Sequence, residues 1–146
     1  MAAFAKIQDF AEQIGLAVHN LNTHALTIAL NRSDAAAGAG AAVQATDTVL
    51  ADIVQPTGTG YAPVDTLNTW AEAAGTGTLT GTKCVFTAGA GDWQSFRYVV
   101  LYNDTHASDA LVGYWDYASD LTLGNGETFS VKFNASDTTG TILTIA

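Results

Sequence analysis

Three histidines, one cysteine, a few grouped carboxylates and an arginine inside an aromatic strand are the side chains here with chemistry to offer. Their spacing decides what that chemistry is. His19, His24 and His106 include no pair at metal-ligand spacing, so they read as exposed turn histidines unless the fold gathers them. Ser95 and Ser119 lack the GxSxG-type elbow that would make either a nucleophile. The single cysteine, Cys84, excludes an internal disulfide and falls mid-strand on an inward face, where a thiol is an inert small hydrophobe. Asp104 and Asp109 bracket one loop, and Asp116 and Asp120 flank the end of one strand, but neither pair has the DxDxDG spacing of a calcium loop. Gly58-Thr59-Gly60 is followed by no P-loop lysine, which removes a phosphate cradle. No catalytic signature emerges, and neither a cofactor nor a metal is expected.

Asp116 differs from the other acids because it interrupts an apolar run, GYWDYAS. Either it faces solvent by alternation, or it pairs with Arg97 of the neighbouring strand, a structural pair that fixes register. Aromatic rings are the remaining functional candidates. Trp70, Trp93, Tyr114, Trp115 and Tyr117 offer the flat apolar faces on which sugars stack. Alternation puts Trp115 and Tyr117 on the face of Leu111, in the core, and leaves Tyr114 and Trp93 outward or at a sheet edge, available to partners with Tyr61 of the loop before them.

The elements that must position these groups follow from periodicity. Phe96–Tyr102 and Leu111–Tyr117 are apolar, aromatic and β-branched, and the polar segment Asn103–Asp109 joins them as the loop of a central hairpin. Leu26, Ile28 and Leu30 alternate as a half-buried strand. Leu79–Ala88 reads as one strand with Thr80, Thr82, Cys84 and Phe86 inward. Leu121–Leu123 is a short strand, Gly124-Asn125-Gly126 a tight turn, and Phe129, Val131 and Phe133 point inward from the next strand. Thr141–Ile145 closes the sheet. Thr66–Ala74 is open between strand and helical turn, and Thr46–Val54 suits one helical turn capped by Thr46 or Asp47. Asn31–Ala45, NRSDAAAGAGAAVQA, is a surface loop. At the N-terminus, Phe4, Ile7, Phe10, Ile14 and Val18 recur at spacings of three and four, which predicts a helix over Phe4–Ile14 with Gly15 as C-cap. That segment is either a lid on the domain or an arm through which Phe4, Ile7 and Phe10 dock on a neighbour. The expected organisation is residues 1–20 as helix or arm and residues 21–146 as one all-β domain, an antiparallel sandwich of immunoglobulin-like or jelly-roll type.

Composition narrows the setting. Only 13% of the 146 residues are charged, against 48% hydrophobic, so Thr, Ser, Asn and Gly must cover the surface or part of it meets partners. Five Lys and Arg against 14 Asp and Glu give a net charge of -9, a field that repels phosphate backbones and anionic lipid. Nucleic acid and membrane are therefore not expected partners. No segment approaches the ~20 apolar residues of a membrane span, and a soluble protein made in the cytoplasm is expected.

Several stretches, in order along nearly the whole chain, resemble small virion structural proteins of tailed bacteriophages. They are EQIGLAVHNLNTHALTIALNRS, LADIVQPTGTGYAPV, FRYVVLYNDT, LVGYWDYASDLTLGNGETFSVKF and the final GTILTIA, and the specific part runs from Phe96 to Phe133. The resemblance implies a phage structural protein, and with the small size and the absence of catalytic groups the expected role is a non-enzymatic capsid decoration, or cement, protein on the outer surface of the head. Its partners would be the major capsid protein and copies of itself. A tail or neck position, or a module binding host glycans through Trp93, Tyr114 or Tyr61, are the alternatives it leaves.

Overall fold

The computed structural model describes residues 2–32 and 42–146, and these form an all-β antiparallel fold with one short helix. The strands are β1 (Phe4–Lys6), β2 (Leu26–Asn31), β3 (Val64–Asp65), β4 (Thr69–Ala73), β5 (Thr76–Gly81), β6 (Cys84–Thr87), β7 (Phe96–Asn103), β8 (Leu111–Leu121), β9 (Thr128–Val131) and β10 (Gly140–Ile145). Helix α1 is Phe10–Gly15, and a single 3-10 turn spans Leu50–Asp52. One sheet has the order β1-β8-β7-β2-β3. Facing it are the β10-β5-β4 sheet and the β6-β9 pair.

The main core lies between these layers. Leu26, Ile28 and Leu30 of β2 and Val99 and Leu101 of β7 meet Leu79, Cys84, Phe86, Val131, Phe133 and Ile142 from the opposite layer. Each such large side chain, fully withdrawn from water, contributes about 1.5–3 kcal/mol. All six residues of β2 are nonetheless buried, because the sheet's other face is covered too. Residues 43–53 return across it, so that Val43 and Ile53 pack on Ala29, Tyr98, Val100, Tyr102 and Leu111. Backbone bonds from Leu50 to Asp109 and from Leu111 to Thr48 fasten this cover. A strand buried on both faces reads as a continuous apolar run, as β7 does.

The central hairpin forms as expected, and several other elements differ. Phe4 heads a strand instead of a helix. Its ring lies 4.9 Å from that of Trp115, its cross-strand partner, over Gly113, where a β-carbon would stand 2.3 Å from the Phe4 ring. This long-range pairing, with Ile7 donating to the Val112 carbonyl, overrides a local helical period, and the helix begins only at Phe10. Gly15 is its last residue, and Leu16 takes the cap position. Residues 79–88 form two strands. The break at Thr82 lets the chain leave β10 for β9 while the Thr82 amide donates to the Thr66 carbonyl, so Leu79, Cys84 and Phe86 are buried but Thr80 is not. The turn at residues 50–52 is organised by Asp52, whose carboxylate accepts from the Thr48 and Val49 amides, and not by Thr46 or Asp47. Residues 121–123 add no strand, since β8 itself runs to Leu121. Thr66–Ala74 resolves as strand β4. The loop expected over Asn31–Ala45 falls largely outside the described residues.

Candidate interaction surface

Strand β8 changes character at Asp116. From Gly113 to Asp116 it pairs regularly with β7, Tyr98 opposite Asp116, but the next pair is Phe96 with Leu121, so Tyr117–Asp120 bulge out of the ladder and are exposed. The bulge is built from three side-chain bonds. Arg97 grips Asp116 as a fork, Nε donating to Oδ1 at 2.7 Å and Nη2 to Oδ2 at 2.8 Å, and Oδ1 also accepts the Ala118 amide at 2.8 Å. The Arg97 hydrogen bonds, with help from the Ala118 amide, hold the Asp116 carboxyl below the usual carboxylate range, and the same pairing raises Arg97. Ala118 is thereby kept at φ 67°, a left-handed conformation that costs a residue with a β-carbon about 1 kcal/mol.

The product of this bend is an open groove of about 500 Å³. Trp115, Val99 and Val131 make its floor, and Tyr117 and Phe129 one wall, their rings edge-on at 6.0 Å. Phe129 is braced from behind by Phe96 at 5.1 Å, and Trp115 by Phe133 at 5.9 Å. Ser130 and Lys132 add polar groups to its lining, and Lys132 also pairs with Asp137. Such a lining suits an apolar side chain or segment of another molecule, held by shape and steered by a few polar contacts.

The residues expected to meet partners are dispersed. Trp93, read as outward, is only 2% exposed: its indole N–H donates to the Thr59 carbonyl at 2.9 Å, and its ring meets Tyr61 edge-on at 5.2 Å. Tyr61 is half-buried. Its hydroxyl donates to Gln55 and accepts from the Leu30 amide, and burial pushes its pKa up to about 12. Ile7 and Phe10 are buried and Phe4 half-buried under the sheet edge. Tyr114 is half-buried on the opposite face of β8, against Tyr98. Alternation placed Tyr117 in the core beside Leu111. Irregular pairing at Val112 turns Leu111 to the other face, and the bulge turns Tyr117 outward, 52% exposed. Tyr117 was thus missed as a surface candidate, and the only signal for it was the polar ASD after the aromatic run.

The histidines do converge, on Asn103. The Asn103 carbonyl oxygen accepts the amides of Thr105 and His106, which fixes the carboxamide's orientation. Its nitrogen then lies 2.8 Å from the Val18 carbonyl, 2.9 Å from Nδ1 of His24 and 3.2 Å from Nδ1 of His19. Both rings therefore face a donor with Nδ1, and His19 Nε2 donates to the Gln13 carboxamide at 2.6 Å. His19 is only 4% exposed, contrary to an exposed turn residue, and burial lowers its pKa to about 4, partly opposed by the Leu111 backbone. Its role is to tie the α1 segment to the end of β7. Among the described residues no group of His, Cys, Asp and Glu could hold a metal ion. Cys84 is buried, and that burial pushes the thiol up to about 12.

No protein-family model, no curated protein and no solved structure matches this chain. No helix among the described residues is long and apolar enough to cross a membrane.

Proposed function

We propose that this chain is a non-enzymatic structural protein of a tailed-bacteriophage particle, a decoration protein that sits on the outer surface of the head and braces major capsid subunits. The observation that carries the reading is the groove under Tyr117. It is an exposed apolar recess on a two-layered scaffold, beside a strained bulge, and most of its lining comes from residues 96–133, the stretch on which the resemblance to such virion proteins chiefly rests. A recess of that composition binds by fit. An apolar segment of the capsid subunit fills it, and the Thr- and Asn-rich surface around it is desolvated at lower cost than charge would be. The acidic net charge of -9 suits the outside of a shell packed with DNA, because it gives the protein no affinity for the phosphates within.

The test is to add purified protein to heads assembled without it. Saturable binding in proportion to the shell lattice, weakened by Tyr117→Ala with the fold unchanged, supports the proposal. Binding confined to the neck or tail moves the protein along the particle, and no binding to any virion part ends the reading.

A further inference from the structure

Strand β10 has β5 on one side and no strand on the other, and it is the longest edge strand among the described residues. Exposed edges are usually blunted with Lys, Pro or inward charges, because their free N–H and C=O groups template pairing with another chain. This one is not. Neither β10, GTILTI, nor β5, TGTLTG, contains an ionisable side chain, and β4 adds only Glu72. Its bulge lies between Thr141 and Leu143, which leaves Leu143–Ile145 in regular register with β5.

We propose that this edge is a self-association surface, at which two copies pair β10 to β10 antiparallel about a two-fold axis and merge their three-stranded sheets into one. Register fixes what each face would bring. Thr141 and Thr144 share a face with Thr80 and Thr78, while Leu143 lies with Leu79 on the inner face. On that inner side a groove of about 520 Å³ runs between β10 and the N-terminal segment, walled by Phe4, Phe10 and Ile14. Leu143 and Ile145 of the second copy enter it, and Ile145, 39% exposed in the single chain, is covered.

Charge selects the second copy as occupant. Two chains of net charge -9 repel wherever their acids face each other, so they can meet closely only where acids are lacking. The uncharged strip supplies that place, and the groove's one charged side chain, Lys6, is opposite in sign to the incoming chain. The residual repulsion comes from acids elsewhere and is screened by salt. Association through this edge must therefore tighten as salt is added, whereas docking of a basic partner would loosen. The pairing does not depend on the capsid reading.

Sedimentation equilibrium of the full chain at low and high salt tests it. The expected result is a monomer–dimer equilibrium that strengthens with salt, and about a tenfold or greater loss of dimer in Thr144→Lys, an exposed edge position where a charge blocks strand pairing. Thr141→Lys serves the same purpose should the first variant not fold, and hydrogen exchange on the wild type should show concentration-dependent protection at residues 143–145. A wild type that is monomeric throughout, a dimer that loosens with salt, or a dimer indifferent to both lysines overturns the proposal.

Discussion

Acidification should withdraw stability from this protein through His19 before it does so through Asp52, Asp116 and Asp137. The ring is buried beside Phe10, with Gln13 on one nitrogen and the Asn103 amide on the other, and His24 and His106 add like charge if they protonate. A proton on Nδ1 would set one donor against another. The folded-state pKa is accordingly lowered from 6.5 to about 4. Above pH 6.5 the ring is neutral whether the chain is folded or not, and it adds no pH dependence. Between 6.5 and 4 the unfolded chain takes up the proton and the folded one does not, so stability falls with pH by up to about 1.4 kcal/mol per unit, about 3 kcal/mol in all. Below 4 both states are protonated and the effect levels off. Asp52, Asp116 and Asp137 are held below the usual carboxylate range, so their stabilisation is lost only lower still, as pH falls from the ordinary value of 3.8 through their folded values. Urea titrations across this range, on the wild type and on His19→Gln, separate the two effects. The variant should be less stable at neutral pH and lack the slope between 6.5 and 4, so the two curves converge on acidification. Parallel curves would refute a buried neutral His19.

Gly113→Ala drives a methyl into the Phe4 ring and should cost about 1–3 kcal/mol while freeing β1, read as a lower melting temperature and early proteolysis near the N-terminus. Ala118→Gly relieves the left-handed residue and should be neutral to stabilising by up to about 1 kcal/mol in thermal denaturation, whereas Ala118→Val should destabilise. Asp116→Asn keeps the shape but weakens the grip of Arg97, and hydrogen exchange at the Ala118 amide should accelerate with little change elsewhere. Ile28→Ala, fully buried in the main core, should cost about 2–5 kcal/mol by denaturant titration.

What the sequence disclosed was set by strand alternation. The β7–β8 hairpin, the inward Phe129, Val131 and Phe133 and the buried Cys84 follow from a period of two and a turn between runs, and the Arg97–Asp116 pair is one of the two placements that alternation leaves open for Asp116. What stayed hidden depends on contacts far apart in the chain. Phe4 satisfies a helical face as well as a strand, and only Gly113 and Trp115, more than a hundred residues on, decide between them. His19 looks like a turn residue until Asn103 is beside it. The groove is hidden for a related reason: a bulge adds residues without changing their types, so strict alternation carries Tyr117 into the core although the strand bends it out. Trp93 was misplaced the other way, since its partners Thr59 and Tyr61 come from a separate loop.

An electron-microscopic reconstruction of the virion, or of heads to which the purified protein has been added back, tests the proposed capsid role most directly. The expected density is a two-layered β domain repeated over the outer shell, with the groove formed by Trp115, Tyr117 and Phe129 turned toward a capsid subunit. Density for the domain only in neck or tail rings, or on the shell with that groove facing solvent, would contradict it.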